Sequence, residues 1–243
     1  MVRVQVKVNG RVRIRLISAD APRNTEYSVI NDHNLIDPTF TQYLQNAFNG
    51  NAVQPSDIIL VTSSGTTLHV KSITPTFPTS TSPSLSILYV FTSPTQVQAT
   101  ELDMYLVFPN GTQQHVATFI PTTPISAPSM VVEWTITYSF TSTSTSALLN
   151  TQTLSSIITY FTTTLPNPAV VPSSPSLQCT PSLTSVQYGP GLIQGYIQTT
   201  QAVPLMSCTL YLDGLEVITY QATNLNPTQD NAVIESVVQV VLS

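Results

Sequence analysis

Residues 130–140 constrain the fold of this chain more than any other segment. They read MVVEWTITYSF, in which apolar and polar side chains alternate with the two-residue period of a half-buried β-strand. The beginning of the segment matches the Val-Ile-Glu sequence at Val233, close to the C-terminus. Its end, from Trp134 onward, leads into a helix-like segment, as residues 12–17 do near the N-terminus. One module therefore ends here while a second begins.

Further matches between the two parts of the chain indicate a duplication. The strand-like segment at Tyr89 resembles the one at Tyr196, and the segment around Tyr105 resembles the one around Tyr211. The spacing between the two tyrosines is nearly the same in both parts, as expected for an internal repeat. We therefore divide the 243-residue chain into residues 1–140, an N-terminal hairpin plus a first β-sandwich, and residues 141–243, a second β-sandwich.

The whole pattern predicts an all-β fold of two tandem β-sandwich or jelly-roll-like domains, each with one short helix. Short strands separated by Pro-, Ser- and Thr-rich connections are typical of such domains. The first helix is expected after Asp37, because Asp37-Pro38-Thr39 supplies capping chemistry and Asn49-Gly50 supplies a stop. Apolar residues with helical spacing lie between these signals and again in the second part: Phe40, Tyr43, Leu44, Ala47 and Phe48, then Leu154, Ile157, Ile158 and Phe161.

Residues 2–17 alternate aliphatic side chains with cations on both sides of Asn9-Gly10. Asn-Gly between two alternating runs is a strong signal for a β-hairpin, so we expect an N-terminal β-hairpin. A three-residue connection or a bulge would pair Val8 with Val12 and keep the apolar side chains on one face. It would also set Lys7 opposite Arg13, and such a like-charge pair costs stability unless an anion lies nearby.

The charges are few and unevenly distributed. Charged residues make up 8% of the chain, against about 25% in ordinary domains. Apart from Lys71, all cations lie near the N-terminus, at Arg3, Lys7, Arg11, Arg13, Arg15 and Arg23. Such asymmetry predicts that these six residues form a protein interface, whereas the alternative is a solvated face neutralised by the chain's own carboxylates. Nucleic acid is a less favoured partner, because the stripe has no interleaved aromatic residues.

The sequence offers no convincing catalytic, cofactor or metal motif. Asp32-His33 with Asp37 is the one cluster of potential metal ligands, and it lacks the histidine pair or cysteine partners of a zinc site. The other histidines, His69 and His115, alternate within strands and are expected to be ordinary sheet residues. Glu101 and Asp103 lie on one side of a single strand, which favours a solvated edge over a glycosidase pair. We therefore expect a protein without enzymatic activity, metal or cofactor.

Two further features concern covalent chemistry. Cys179 and Cys208 are either two small buried hydrophobic residues or a disulfide that closes about 30 residues and contributes roughly 3 kcal/mol. An oxidised pair would favour an extracellular or hyperthermophilic source. Asn110-Gly111-Thr112 is an N-glycosylation sequon at a predicted turn tip, although Asn-Gly is equally what a tight turn requires.

The composition resembles that of virion structural proteins of hyperthermophilic archaeal viruses, such as turret or vertex proteins. The shared features are few Lys and Arg, strands rich in Thr, Ser and Pro, tandem β-sandwich modules, and no apolar segment typical of a secretory signal or a membrane span. Residues 31–66 are also similar to a module of tail and baseplate proteins, with Asn34-Leu35-Ile36, a short helix, Ile58-Ile59-Leu60-Val61 and Gly65-Thr66, but without that family's second glycine. The resemblance implies oligomerisation around a symmetry axis.

These observations support two functional hypotheses, and a hydrolase on a β-sandwich is a third, less favoured one. The first is an oligomeric turret, vertex (penton) or tail component on the particle surface, which docks on other copies of itself and on neighbouring capsid proteins. The alternative is a host-attachment or cell-surface module that binds a glycan or receptor through aromatic residues such as Tyr105, Trp134 or Tyr138.

Overall fold

The computed structural model describes residues 2–17, 26–48, 53–80, 82–143, 147–167, 175–180, 182–189, 192–198, 203–212, 214–225 and 233–242. Strands account for 62% of the structure, and the described residues include two short helices. The predicted all-β class is therefore confirmed.

The elements of the first part are β1 (Val2–Ile17), β2 (Glu26–Ile36), α1 (Pro38–Phe48), β3 (Asp57–Thr62), β4 (Thr67–Thr76), β5 (Ser84–Ser93), β6 (Val97–Ala99), β7 (Leu102–Val107), β8 (Gln113–Phe119), β9 (Ile125–Ala127) and β10 (Ser129–Ser142). Those of the second part are β11 (Ala147–Leu149), α2 (Thr151–Thr162), β12 (Ser176–Thr180), β13 (Ser185–Gly189), β14 (Leu192–Gln198), β15 (Val203–Leu212), β16 (Leu215–Leu225) and β17 (Val233–Leu242).

Eight strands of the first part close into an antiparallel barrel. Their order is β1-β2-β8-β7-β3-β4-β5-β10, and β10 pairs back onto β1. An eight-stranded barrel is just wide enough for side chains to fill its interior. Alternate residues of β5 and β10 supply the largest of these side chains, Tyr89, Phe91, Trp134 and Tyr138, all fully buried. Each of the eight strands pairs with one strand of the barrel on either side.

The predicted hairpin at residues 2–17 is wrong, because these residues form the single strand β1. Its register with β10 runs without a shift from Val4 to Ile17, straight through Asn9 and Gly10. The two-residue alternation keeps its phase across Gly10, so a continuous strand buries the aliphatic side chains from Val4 to Leu16 on one face. Gly10 is buried opposite Asn34 of β2, and a Cβ at Gly10 would overlap the Asn34 side-chain amide. Glycine is thus required here for a close approach between strands and not for a turn.

Both predicted helices are confirmed, and each begins at a capping side chain. Asp37 Oδ1 accepts a hydrogen bond of 2.7 Å from the backbone N–H of Thr39 at the start of α1. Asn150 Oδ1 accepts one of 3.0 Å from the backbone N–H of Thr153 at the start of α2. The apolar residues with helical spacing are buried in both helices. The predicted stop at Asn49-Gly50 lies outside the described residues.

The C-terminal end of α2 is fixed to residues of the first part. The last carbonyl groups of a helix lack partners within the helix and need others. Tyr43 of α1 donates to the carbonyl of Phe161 at 2.7 Å, and Tyr89 of β5 donates to the carbonyl of Thr162 at 2.9 Å. Burial raises the pKa of both tyrosines above the usual value of 10, so both stay protonated as donors. Helix α2 therefore ties the two parts of the chain together.

The second part repeats the strand pairing order of the first. The order β11-β16-β15-β12 corresponds to β2-β8-β7-β3, and the order β17-β14-β13 corresponds to β10-β5-β4. In each part the helix follows the corresponding strand, β2 before α1 and β11 before α2. A buried contact joins the two sheets of the second part, since a Cβ at Gly195 of β14 would lie 3.0 Å from Leu177 of β12.

Strand β1 belongs to both parts. Its residues from Gly10 to Ile17 pair antiparallel with β2, whereas those from Val2 to Val6 pair parallel with β17. Strand β10 flanks it on the other side along almost its full length. The pair of β1 and β10 therefore forms a continuous spine from the barrel into the second part.

Candidate interaction surface

The outward side of β1 carries the cations that the sequence predicts to form an interface. Because the even-numbered residues of β1 from Val4 to Leu16 are buried, the odd-numbered residues between them face outward. Lys7, Arg11 and Arg13 are exposed, and Arg15 is half-buried. The structure thus aligns four of the predicted interface residues along one strand.

The two neighbouring strands widen this side into a polar surface, which we call the basic face. The pairings of β1 with β10 and of β10 with β5 define its rows: Lys7–Ser139–Ser84, Asn9–Thr137–Ser86, Arg11–Thr135–Leu88, Arg13–Glu133–Val90 and Arg15–Val131–Thr92. Hydroxyl groups bond across two of the rows, at 3.0 Å between Ser84 and Ser139 and at 3.1 Å between Ser86 and Thr137. These bonds fix the side chains at one end of the face, next to Lys7.

Glu133 is the carboxylate on these rows. Its Oε1 lies 2.8 Å from Arg15 Nη2 and its Oε2 lies 3.5 Å from Arg13 Nη1. One carboxylate therefore serves two guanidinium groups, while the rows carry four cations in all. The rows by themselves therefore carry a formal positive surplus, counted without the carboxylates of neighbouring strands.

A shallow depression of about 270 Å³ lies between Arg11, Arg13, Leu88, Glu133 and Thr135. Two guanidinium groups at its rim can donate several hydrogen bonds to a planar carboxylate, which is the geometry that arginine favours. The rim of the depression thus carries both guanidinium donors and the Glu133 carboxylate.

The expected contact between Lys7 and Arg13 does not occur, because it depended on the hairpin. In the continuous strand Lys7 lies opposite Ser139, and Arg13 lies opposite Glu133. The remaining predicted interface residues are Arg3, which pairs with Gln239 in β17 and whose side chain lies outside the described part, and Arg23, which lies outside the described residues altogether.

A second polar cluster surrounds His115 on another side of the barrel. His115 Nδ1 lies 2.7 Å from Asp37 Oδ2, and its Nε2 lies 3.2 Å from Asp103 Oδ1. Thr118 Oγ1 is 3.1 Å from the same Nε2 and donates to Asp103 at 2.6 Å. The ring of Tyr105 packs on the imidazole with centroids 4.9 Å apart. The cluster joins β7 and β8 to the residue that precedes α1.

Asp37 is the electrostatic centre of this cluster. Burial alone would raise its pKa, but hydrogen bonds from the Thr39 side chain and backbone, together with His115, outweigh burial and hold the pKa below the usual 3.8. Asp37, His115 and Thr118 are arranged on paper like an acid, a base and a nucleophile. However, the Thr118 hydroxyl donates its proton to Asp103, so the imidazole does not activate it. We interpret the cluster as a polar cross-link between strands.

The predictions for individual acidic and histidine residues change accordingly. Asp37 contacts His115 and does not join Asp32-His33, whose described hydrogen bond runs from the His33 backbone N–H to Asp32 Oδ1 at 2.7 Å. Asp103 does not lie on the predicted solvated edge, because β7 pairs with strands on both sides and the Asp103 side chain is 19% exposed. Among the described residues, no group of three or more His, Cys, Asp or Glu side chains is arranged to hold a metal ion.

Two of the three aromatic residues expected to bind a glycan cannot do so. Trp134 and Tyr138 are fully buried inside the barrel, so the expectation of a binding platform at these positions is wrong. Their burial follows from the alternation of β10, because Trp134, Ile136 and Tyr138 are alternate residues whose side chains all point into the barrel. Tyr105 is half-buried against His115.

The structure shows whether the two cysteines are bonded and where the sequon lies. Cys179 of β12 and Cys208 of β15 lie directly opposite each other and form a disulfide. Asn110 lies at the tip of the turn between β7 and β8 and is exposed, as predicted.

Comparison with known proteins returned no match by family model, by sequence to curated proteins or by structure to solved folds. Within the described part of the chain, neither helix is long and apolar enough to cross a membrane.

Proposed function

We propose that this chain is a non-enzymatic assembly subunit of a virus particle, a turret, vertex or tail component that docks through its basic face on acidic surfaces of other copies and of companion virion proteins. The observation that carries the proposal is the alignment of four cations along the outward side of β1, two of which contact Glu133. In a chain with 8% charged residues, this concentration is the main source of directional electrostatic attraction.

The partner is best described as an acidic protein surface. Base-stacking aromatic residues are missing from the rows of the basic face, which argues against single-stranded nucleic acid. The hydroxyl groups and guanidinium groups can instead donate to carboxylates. Copies of the chain offer such carboxylates, because residues 24–243 carry eleven Asp or Glu and one Lys.

We also propose that the chain consists of two tandem β-sandwich-like domains with a boundary close to residue 140, the first of them closed into the barrel. The repeated pairing order of the two parts supports this division. The spine of β1 and β10 and the hydrogen bonds to α2 join the domains, which suits a subunit that projects from a surface.

The assembly state of purified protein at several ionic strengths tests the proposal. Mass photometry at 50 mM salt should show a closed oligomer that dissociates as salt rises to 0.5 M, because exposed charge contacts are screened over about 10 Å at 0.1 M and less at higher salt. If the chain needs a companion protein, mass photometry of particle extracts should show the chain and its companion as one complex. That complex should dissociate in high salt.

Matched substitutions distinguish an effect of the basic face on assembly from an effect of net charge. Lys7→Ser combined with Arg11→Ser and Arg13→Ser should weaken assembly about tenfold or more, since each lost contact contributes up to roughly 1 kcal/mol. Lys71→Ser, which removes an exposed cation from β4, should leave assembly unchanged. Lys7→Ser alone and Lys71→Ser each remove one exposed cation and are directly comparable. Equal effects of these two variants, or an assembly that is insensitive to salt, would show that the basic face is not the docking surface.

A further inference from the structure

The turn between β7 and β8 has a geometry that presents one asparagine to solvent. The N–H of Gly111 donates to the carbonyl of Phe108, and the N–H of Phe108 donates to the carbonyl of Thr112, both at 2.9 Å. Gly111 adopts a left-handed φ of 82°, which glycine tolerates without strain. The turn is thus a tight loop with a bulge at Gly111, and Phe108, Asn110 and Thr112 line the same groove.

The side chain of Asn110 is held by its oxygen alone. Asn110 Oδ1 accepts hydrogen bonds from the backbone N–H of Thr112 at 3.0 Å and from the Thr112 hydroxyl at 2.7 Å. The described hydrogen bonds of this residue do not involve Nδ2. The amide nitrogen is therefore available on an exposed turn, and the threonine two residues later is already in contact with the amide.

An apolar groove of about 310 Å³ begins at this asparagine. Besides the turn residues it is lined by Tyr43, Asn46 and Val53, and the rings of Tyr43 and Phe108 lie 5.4 Å apart. Val53 is 57% exposed, which is high for an aliphatic side chain. The groove is at the small end of the range for ligand sites, and it combines aromatic rings with polar groups at the rim.

We propose that Asn110 carries an N-linked glycan whose first sugar residue lies in this groove against Phe108 and Val53. A pyranose ring presents an apolar C–H face that packs on an aromatic ring and polar hydroxyl groups that can bond to Asn46 and Thr112. Phe108 is two residues before Asn110 on the same side of the turn, so the attached sugar needs no long linker to reach it. Covalent attachment at the rim defines the occupant of the groove.

The modification is a glycosyl transfer from a polyprenyl-pyrophosphate-linked oligosaccharide. Asn110 Nδ2 attacks the anomeric carbon, and the new C–N bond forms as the anomeric C–O bond breaks. The lipid pyrophosphate leaves with the electron pair of the broken bond, and the amide nitrogen loses one proton to the transferase. Nothing is oxidised or reduced.

The occupancy of the site is measured by mass spectrometry of the full chain passed through a eukaryotic secretory pathway. Wild-type protein and the Thr112→Ser variant should carry a mass excess that peptide-N-glycosidase removes, and Asn110→Gln and Thr112→Ala should not. An unmodified Asn110 in secreted wild-type protein would overturn the proposal.

The position of the sugar is measured separately, by the melting temperature after the glycan has been trimmed to its first residue. The trimmed protein should melt about 2–4 °C above the fully deglycosylated protein. Val53→Ser should abolish this gain, whereas Leu148→Ser, at an exposed leucine that does not line the groove, should keep it.

A second sequon provides the remaining control. Ser64→Asn in the Asn110→Gln background creates the same tripeptide with Gly65 and Thr66, at another turn with a left-handed glycine. A glycan there should give no comparable gain. Equal gains at the two turns, or a gain that Val53→Ser leaves intact, would show that the sugar does not occupy the groove.

Discussion

Substitution of Gly10 by alanine tests whether residues 2–17 form one strand. The backbone of Gly10 lies outside the left-handed region, so alanine can adopt the same conformation. The added methyl group would overlap the side-chain amide of Asn34, which is 9% exposed and is enclosed between strands. The substitution therefore has a steric cost in a packed interior and no intrinsic backbone cost.

The expected magnitude follows from overpacking. Additional methyl groups in a well-packed core destabilise by about 1–3 kcal/mol. For a chain of this size, 1 kcal/mol corresponds to about 2–4 °C in Tm, so Gly10→Ala should melt about 2–12 °C below wild type. Asn34→Ala should have little effect alone, because neither Asn34 Nδ2 nor Oδ1 has a hydrogen-bond partner in the described structure.

A double-mutant cycle measured by thermal or urea unfolding isolates the contact. In the Asn34→Ala background, Gly10→Ala should cost much less than in wild type, with a coupling free energy of about 1–2 kcal/mol. A cost that is the same in both backgrounds would refute the steric explanation. An equal cost would instead indicate that Gly10 adopts a left-handed conformation in an Asn-Gly turn, as the β-hairpin requires.

Three other predictions concern stability. The pKa of Asp37 is lower in the folded protein than its usual value of 3.8, so ionised Asp37 stabilises the fold at any pH above 3.8. This stability is lost as the pH falls through the folded-state pKa. Asp37→Asn should therefore lose less stability than wild type on acidification, measured by unfolding at a series of pH values. Replacing both Cys179 and Cys208 by serine should lower the free energy of unfolding by about 3 kcal/mol, because the disulfide closes a loop with a sequence separation of 29. Tyr89→Phe should cost about 1–3 kcal/mol in urea unfolding, since it leaves the buried carbonyl of Thr162 without its donor.

Each of these predictions has a matched control. For Asp37 the matched variant is Thr39→Ala, which removes a hydroxyl donor to the carboxylate and should also reduce the acid-side loss of stability. Serine substitutions at the cysteines should have no effect beyond that of a reducing agent on wild type. Tyr105→Phe removes a half-buried hydroxyl group and should cost less than Tyr89→Phe. The reverse order for the two tyrosines would contradict the role assigned to Tyr89.

Period-two alternation predicted which side chains face inward but not how far a strand continues. In β1 the alternation correctly predicts which aliphatic side chains share a face, whereas Asn9-Gly10 predicts a turn that does not form. The unbroken phase across Gly10 already favoured a continuous strand. The same alternation in β10 places Trp134 and Tyr138 inside, so their burial could have been predicted as well.

Long-range partners could not be predicted from one sequence. Asp37 and His115 are 78 residues apart, and their contact depends on the pairing of β2 with β8. Likewise, Glu133 lies beside Arg13 only because β10 returns to close the barrel. The helices, by contrast, were predictable because their capping side chains and apolar spacing are local.

The spine of β1 and β10 has a mechanical consequence. The hydrogen bonds between the two strands lie across the strand direction, so a pull applied along β1 loads many of them at once. Bonds loaded in shear resist together, whereas bonds at a peeled edge break one after another. The junction between the two parts of the chain should therefore resist a pull along β1 better than a pull that peels β1 away from β10.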